Sequence, residues 1–397
     1  MIHRMGVVVI CAALLSACGA GEPSTGSRWV GTIDTLPNGA VVVKNPAHGV
    51  WGEADAWRIE EELRIGTADE EGPEMFGNVA ALEVDDLGRI FVLDGQASEV
   101  RVFDASGAHD VRTFGRQGGG PGELNRPAGL FWGRDGNLWI ADLRNSRFSV
   151  FDTTGTYVTS HRRLAAGVNI PWGGGIDAEG RIHDRAFTRD GPLLLRFDSL
   201  MQPVDTFPLP RFDNPDATFT HTITQGGQTA VMRIGVPFAP RMVHYVDRQS
   251  ILWFGVNDRF RIVGQVLGGD TVRIIEKDFE PAPVTQADRE AAMESLGFFS
   301  RQGGQVDPSK IPATKPAFTE FLIDDQGYFW FAPGARNSDE GWVFDVFDPE
   351  GRYLGRTRSN VRLGNLSTVR IRGEYLYGVT RDELDVPYVV RARILGR

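Results

Sequence analysis

Short runs of alternating apolar and polar residues recur along the chain, each bounded by a compact turn signal, which is the period-two pattern of half-buried strands. The clearest copies read Asp85-Asp86-Leu87-Gly88-Arg89-Ile90-Phe91-Val92, Arg134-Asp135-Gly136-Asn137-Leu138-Trp139-Ile140 and Asp324-Asp325-Gln326-Gly327-Tyr328-Phe329-Trp330-Phe331. In each, an Asp precedes a Gly, and an aromatic or β-branched strand begins at once. Weaker copies lie at Asp177 to Gly180, Asp247 to Ser250 and Arg372 to Gly373. The turn positions 88, 136, 180, 250, 327 and 373 are spaced by 48, 44, 70, 77 and 46 residues. A recurring unit of short strands at that spacing predicts a propeller, because each small sheet can bury its faces only against neighbouring sheets.

The expected fold is all-β, with six blades. The first blade takes strands at Ala80–Val84, Arg89–Leu93, Glu99–Asp104 and Asp110–Phe114, and the second at Ala128–Trp132, Leu138–Ala141, Arg147–Asp152 and Tyr157–Arg162. The third spans about 172–210, the fourth about 229–280 and the fifth about 318–358. The sixth has Thr368–Arg372, Tyr375–Val379 and Pro387–Ile394 and lacks an outer strand. Residues 57–65, ahead of the first blade, are patterned to supply it, which closes the ring and removes an open sheet edge. The stretch Thr32–Leu36, Pro37-Asn38-Gly39, Ala40–Val43 reads as a hairpin packed outside the ring.

Two spacings are too long. The extra residues fall at 211–228 and 281–317, between the outer strand of one blade and the inner strand of the next. Those connections share a face with the loops between second and third strands, and long loops in compact domains are commonly functional. Residues 285–296 read as a short helix: Thr285 and Asp288 give the start signal, Ala291, Ala292 and Leu296 one apolar side, and Gly297 the stop, with Phe298-Phe299 to dock it. The insertions flank blade four and are expected to form a lid over the channel mouth. The pocket expected beneath it draws on Asn78, Arg126, Trp172, Arg241, His244, Asn257, Arg259 and Arg336, whose arginines suit a small anionic ligand.

The N-terminus reads as an address. Arg4, the apolar run Gly6 to Leu15, and Leu15-Ser16-Ala17-Cys18 have the layout of a secretory signal, and the run is too short to span a bilayer. The last four of these residues resemble the lipobox of bacterial lipoproteins, which implies a signal peptide over 1–17, lipid on Cys18 and, with Gly19 after it, the outer membrane facing the periplasm. An ordinary signal peptide cut near Ala17 or Ala20 is the alternative. Residues 18–27 then form a tether, and 28–397 the propeller. Cys11 and Cys18 are the two cysteines of the chain, so the mature domain expects no disulfide and no thiol chemistry. The formal charge of −10 opposes phosphate backbones and argues against nucleic acid as a partner.

The second blade carries a family likeness. Phe114-Gly115-Arg116-Gln117-Gly118-Gly119-Gly120-Pro121-Gly122-Glu123-Leu124, Pro127-Ala128-Gly129-Leu130, residues 135–142, Asn145, Arg147, Val150-Phe151-Asp152 and Gly155 resemble an NHL repeat. Blade one keeps Gly88, Asp94, Val102-Phe103-Asp104 and Gly107, and blade five keeps Gly327, Val346-Phe347-Asp348 and Gly351. Blades three, four and six depart from it. As a whole the chain resembles the six-bladed propeller lipoproteins of bacteria, a group that generally lacks an assigned reaction.

Chemistry is harder to read. The glycine-rich run at 115–122 lacks the Gly-Lys-Ser/Thr ending of a phosphate loop and precedes a strand, so it reads as an inter-blade connection. Asp94 and Asp142 end equivalent strands and suit buried pairing with arginine, although a ring of such carboxylates could hold calcium. His48, His109, His161, His183, His221 and His244 show no metal spacing; the resemblance to NHL-type lyases leaves open zinc held by histidines from several blades. There is no Gly-x-Ser-x-Gly elbow. The leading expectation is a lipid-anchored extracytoplasmic scaffold without a cofactor, binding a small anion or an envelope protein. The alternative is a metal-dependent lyase or hydrolase using the central channel.

Overall fold

The computed structural model describes residues 28–397 apart from 53, 69–71, 165–171, 173, 189, 226–227 and 336–340. The expected Cys18 anchor and Arg336 therefore lie outside the described residues.

Six radial sheets form the propeller. Blade one is built from Val79–Val84, Ile90–Asp94, Glu99–Phe103 and His109–Phe114, and blade two from Pro127–Trp132, Leu138–Asp142, Arg147–Phe151 and Tyr157–Arg162. Blade three has Gly175–Ile176, Ile182–Thr188, Gly191–Phe197 and Pro203–Pro208. Blade four has Met242–Val246, Ile251–Val256, Arg261–Val266 and Thr271–Lys277, and blade five Phe318–Ile323, Phe329–Pro333, Asp345–Phe347 and Tyr353–Arg356. Blade six joins Arg370–Arg372, Tyr375–Arg381 and Pro387–Leu395 to Arg58–Ile65, with Val389 opposite Ile65 and Leu395 opposite Arg58. Arg397 fastens this closure. Its guanidinium lies over the rings of Trp57, Tyr328 and Trp330 and pairs with Asp324 at 2.8 Å. The N-terminal hairpin also sits outside the ring, where Val41–Asn45 runs parallel to Thr271–Lys277 and widens blade four to six strands.

The turn chemistry explains the repeat. Asp85 Oδ1 accepts the backbone N–H groups of Leu87 and Arg89, and Asp177, Asp247 and Asp324 repeat the arrangement. The turn residue must take a left-handed backbone: φ is 76° at Gly88, 77° at Gly136 and 88° at Gly327, while Ser250 accepts it at 60°. In blades four and five, the same Asp also accepts the indole N–H of Trp253 or Trp330, each at 2.7 Å.

Apolar side chains fill the seams between blades. Phe91, Leu93, Leu130, Ile140 and Phe151 lie between blades one and two. Phe260, Phe318, Phe331 and Phe347 lie between four and five, where Phe331 is fully buried. The seam between three and four is the thinnest, with Leu194, Leu209, Leu252 and Leu267 as its buried residues.

One boundary differs from the sequence expectation. Blade four begins at Met242, not near 229, because Gln228–Gly235 pairs with Thr218–Gln225 as a separate hairpin. Strand-like alternation at 228–235 is real; its partner is local.

Candidate functional site

The hairpin 218–235 and the helices Gln286–Ser295 and Gly297–Arg301 come from different insertions, yet they share one core. Phe219, Val236, Val284, Ala292, Leu296, Phe299 and Ile311 are buried together in it, and Lys310 pairs with Asp216 at 3.1 Å across the two segments. The first helix starts with a capping box: Asp288 N–H donates to Thr285 Oγ1, and Thr285 N–H donates to the Asp288 carboxylate at 2.8 Å. Phe299 is fully buried and docks the helix pair, whereas Phe298 is exposed.

Blade four, which the two insertions flank in the chain, carries a cavity of about 260 Å³ lined by Met242, Phe254, Gly255, Val256, Arg259, Arg261 and Val263. Its wall follows from strand register: His244 lies opposite Phe254, and Phe254 opposite Val263. Side chains alternate across a sheet, so Met242 and His244 face the same way as Phe254 and Val263, toward blade three.

Of the sequence candidates, Arg259 is in the lining, while Arg241, His244 and Asn257 lie nearby on the same blade. Arg241 is exposed, donates to the Thr319 carbonyl at 2.8 Å and lies 3.6 Å from Glu320. Arg259 lines the cavity, exposed, with Asp258 at 3.4 Å. His244 Nε2 is 2.8 Å from the Pro210 carbonyl; burial lowers its pKa and Arg185 lowers it further, so the ring is neutral at neutral pH. Asn257 is a brace. Its Oδ1 accepts Arg241 N–H at 2.8 Å, its amide donates to Phe318 O at 2.9 Å, and its carbonyl accepts Ala317 N–H at 2.8 Å. Both of its side-chain groups are thereby used, and it is buried.

The other candidates lie apart, on the starts of other inner strands. Asn78 is exposed and donates its backbone N–H to Asp94 at 3.2 Å. Arg126 is exposed with φ 56° ahead of Pro127. Trp172 stacks on Phe131 at 4.3 Å and meets Phe148 edge-on, which is a packing role.

The carboxylates that end second strands are occupied from within. Asp94 accepts N–H groups from Gly77, Asn78, Gln96 and Ala97, and Asp142 accepts from Asn125, Asn145 and Arg147. Among the described residues, no three His, Cys, Asp or Glu side chains gather as a metal-binding group.

Sequence reasoning missed the polar seam of blade three. Arg163 clasps Asp184 through Nε at 2.6 Å and Nη2 at 2.8 Å, both side chains buried. His183, 2% exposed, has a pKa lowered to about 4 because burial outweighs the attraction of Asp177, 3.6 Å away. Arg185 follows on the same strand. The signal was present in Ile182-His183-Asp184-Arg185, a charged run where sister blades carry apolar residues.

Comparison with known proteins agrees with the architecture. Residues 67–169 match the DUF5128 family, described as a 6-bladed beta-propeller. NHL repeat-containing protein 3 of Mus musculus is 28% identical over 185 residues, 45% of this chain and 44% of that protein. The Homo sapiens protein of the same name is 33% identical over 94 residues, 22% of this chain and 27% of that protein. The chain thus spans less than half the length of these relatives. Among solved structures, a putative exported protein from Bacteroides fragilis aligns over 89% of this chain and 99% of its own, with TM-score 0.51 and 14% identity. The protein is a six-bladed β-propeller with similarity to NHL-repeat proteins.

Proposed function

We propose that this protein is a binding scaffold of the bacterial envelope, anchored through Cys18 at the outer membrane and facing the periplasm. It holds a small anionic ligand at the rim of blade four. The carrying observation is the joining of the two insertions into one unit with its own core, together with a cavity on the blade they flank that has Arg259 and Arg261 in its lining. An extra folded unit costs chain entropy at every ordered residue, and a ring already closed by Arg58–Ile65 does not need it for closure. Guanidinium groups at the rim of an apolar hollow favour an anion with a hydrophobic part.

The test is native mass spectrometry of the full chain purified from the envelope, alongside the double variant Arg241→Ala, Arg259→Ala. The reading expects a retained anion that the double variant releases. A chain that retains no small molecule, or a variant that retains it equally, removes the pocket. For the anchor, Cys18→Ser is expected to move the protein from the detergent-soluble membrane fraction to the soluble fraction.

A further inference from the structure

Counting five residues from each turn position reaches the same place in every blade: Leu93, Ala141, Arg185, Gly255, Ala332 and Gly378. Five of these are apolar or glycine and buried, with Leu93, Ala141 and Ala332 at 0% exposure. Blade three alone puts a charge there. Arg185 is half-buried by area but set deep enough that burial works against its charge and lowers its pKa.

Its guanidinium makes no hydrogen bond and no ion pair within the described residues. The nearest counter-charge, Asp184, is committed elsewhere: its oxygens take Arg163 Nε, Arg163 Nη2 and the backbone N–H of Arg185 itself. A guanidinium carries five donors in a fixed fork, and those of Arg185, met by no protein group among the described residues, stay open to solvent or to a ligand.

Register shows where the side chain points. Arg185 lies opposite Leu194, and Leu194 opposite Phe207, on the face of blade three turned to blade four. Leu194 and Phe207 pack there with Leu252 and Phe254. Arg185 lies close enough to His244 to disfavour its protonation, and the cross-strand partner of His244, Phe254, lines the cavity. His244 is neutral and its Nε2 is bound to the Pro210 carbonyl, so it cannot neutralise Arg185.

We propose that Arg185 is the anion-recognition residue at the inner end of the blade three–four cleft, and that the ligand is a carboxylate with a short apolar body. This rests on the binding reading given above and names its ligand class. The fork of Arg185 matches the two oxygens of a carboxylate, while Met242, Phe254, Val256 and Val263 receive the hydrocarbon. At roughly 30 Å³ for each water-sized group, the cavity has room for a short chain on the order of hexanoate.

The experiment titrates hexanoate, hexanol and inorganic phosphate into the full chain and into Arg185→Leu, following heat of binding and Tm. Leucine is the residue blade one already tolerates at this place, so the variant is expected to fold with an unchanged or higher Tm in the absence of ligand. Hexanoate is expected to bind the native chain and raise its Tm, and to bind the variant at least tenfold more weakly; hexanol and phosphate are expected to bind neither. Equal hexanoate binding by both chains, or by neither, overturns the inference. So does a ligand-free variant whose Tm falls by several degrees, since Arg185 would then be a structural contact. A retained anion released by the Arg241, Arg259 double variant but kept by Arg185→Leu defeats this inference and leaves the pocket standing. Phosphate binding as strong as hexanoate removes the need for an apolar body and overturns the ligand class.

Discussion

Asn45 Oδ1 accepts the backbone N–H of Tyr353 at 2.7 Å, joining the N-terminal hairpin to blade five across 308 residues. The same side chain donates to Glu276 O and Gly351 O, each at 2.9 Å, and accepts Trp29 Nε1–H at 2.9 Å. Every donor and acceptor of the amide is used, at 3% exposure. Asn45→Ala leaves several buried partners unmet and is expected to lower unfolding free energy by about 2–4 kcal/mol in urea titrations. An unchanged midpoint would mean that the hairpin is decoration.

The buried imidazole of His183 makes stability depend on pH. In the folded chain it stays neutral down to about 4, whereas unfolded histidine takes a proton below about 6.5. The unfolded state therefore binds the extra proton between those values, and stability falls as pH falls through that window, by about 3 kcal/mol in all. His183→Phe places there the residue that Phe91 supplies in blade one. Its loss of stability between pH 7 and 4.5 is expected to be smaller by most of that amount. His161 and His244 are also held low by burial, so the comparison with the variant, rather than the slope alone, is the readout.

Phe299→Ala separates the inserted unit from the ring. Removing a fully buried aromatic ring from a small core is expected to cost about 3 kcal/mol locally. Hydrogen exchange at 218–235 and 286–301 is expected to accelerate while the blade strands stay protected. Uniform loss of protection would show that the insertions and the ring unfold as one.

Gly136 isolates the backbone requirement of the turn. Its φ is 77° and an added methyl would meet nothing within 4 Å, so Gly136→Ala is expected to cost about 1 kcal/mol from conformation alone. At Gly107, φ 88°, the methyl would also come within 2.6 Å of Leu63, and Gly107→Ala is expected to cost more. Thermal unfolding of the two variants under one condition gives the comparison.

The ring was legible because its evidence is local. A turn residue with positive φ marks all six blades, and in four of them an Asp three residues earlier binds two nearby N–H groups. The closing strand was legible by subtraction, since Pro387–Leu395 had no partner after it and residues 57–65 had none before. The start of blade four was set too early, near 229, because alternation at 228–235 is identical for a ladder strand and for a free hairpin. Arg185 was passed over for a related reason: its oddity shows when the six blades are laid in register, and blade three departs from the NHL-like pattern. Asn257 illustrates a different limit. A polar residue at an inner rim suits a ligand or a brace equally, and only its three bonded partners decide for the brace.

Closure by Arg58–Ile65 also sets the order of assembly. Its partner Pro387–Leu395 follows the other described strands in the chain, and Arg397, which lies over Trp57, comes after it. Five blades can be complete while Arg58–Ile65 waits with an open hydrogen-bonding edge, the kind of edge on which chains aggregate. Bringing together segments so distant in sequence is entropically slow, which makes this docking the expected rate-limiting step. A circular permutant that places residues 57–65 directly after the final strand would turn the slowest contact into a hairpin.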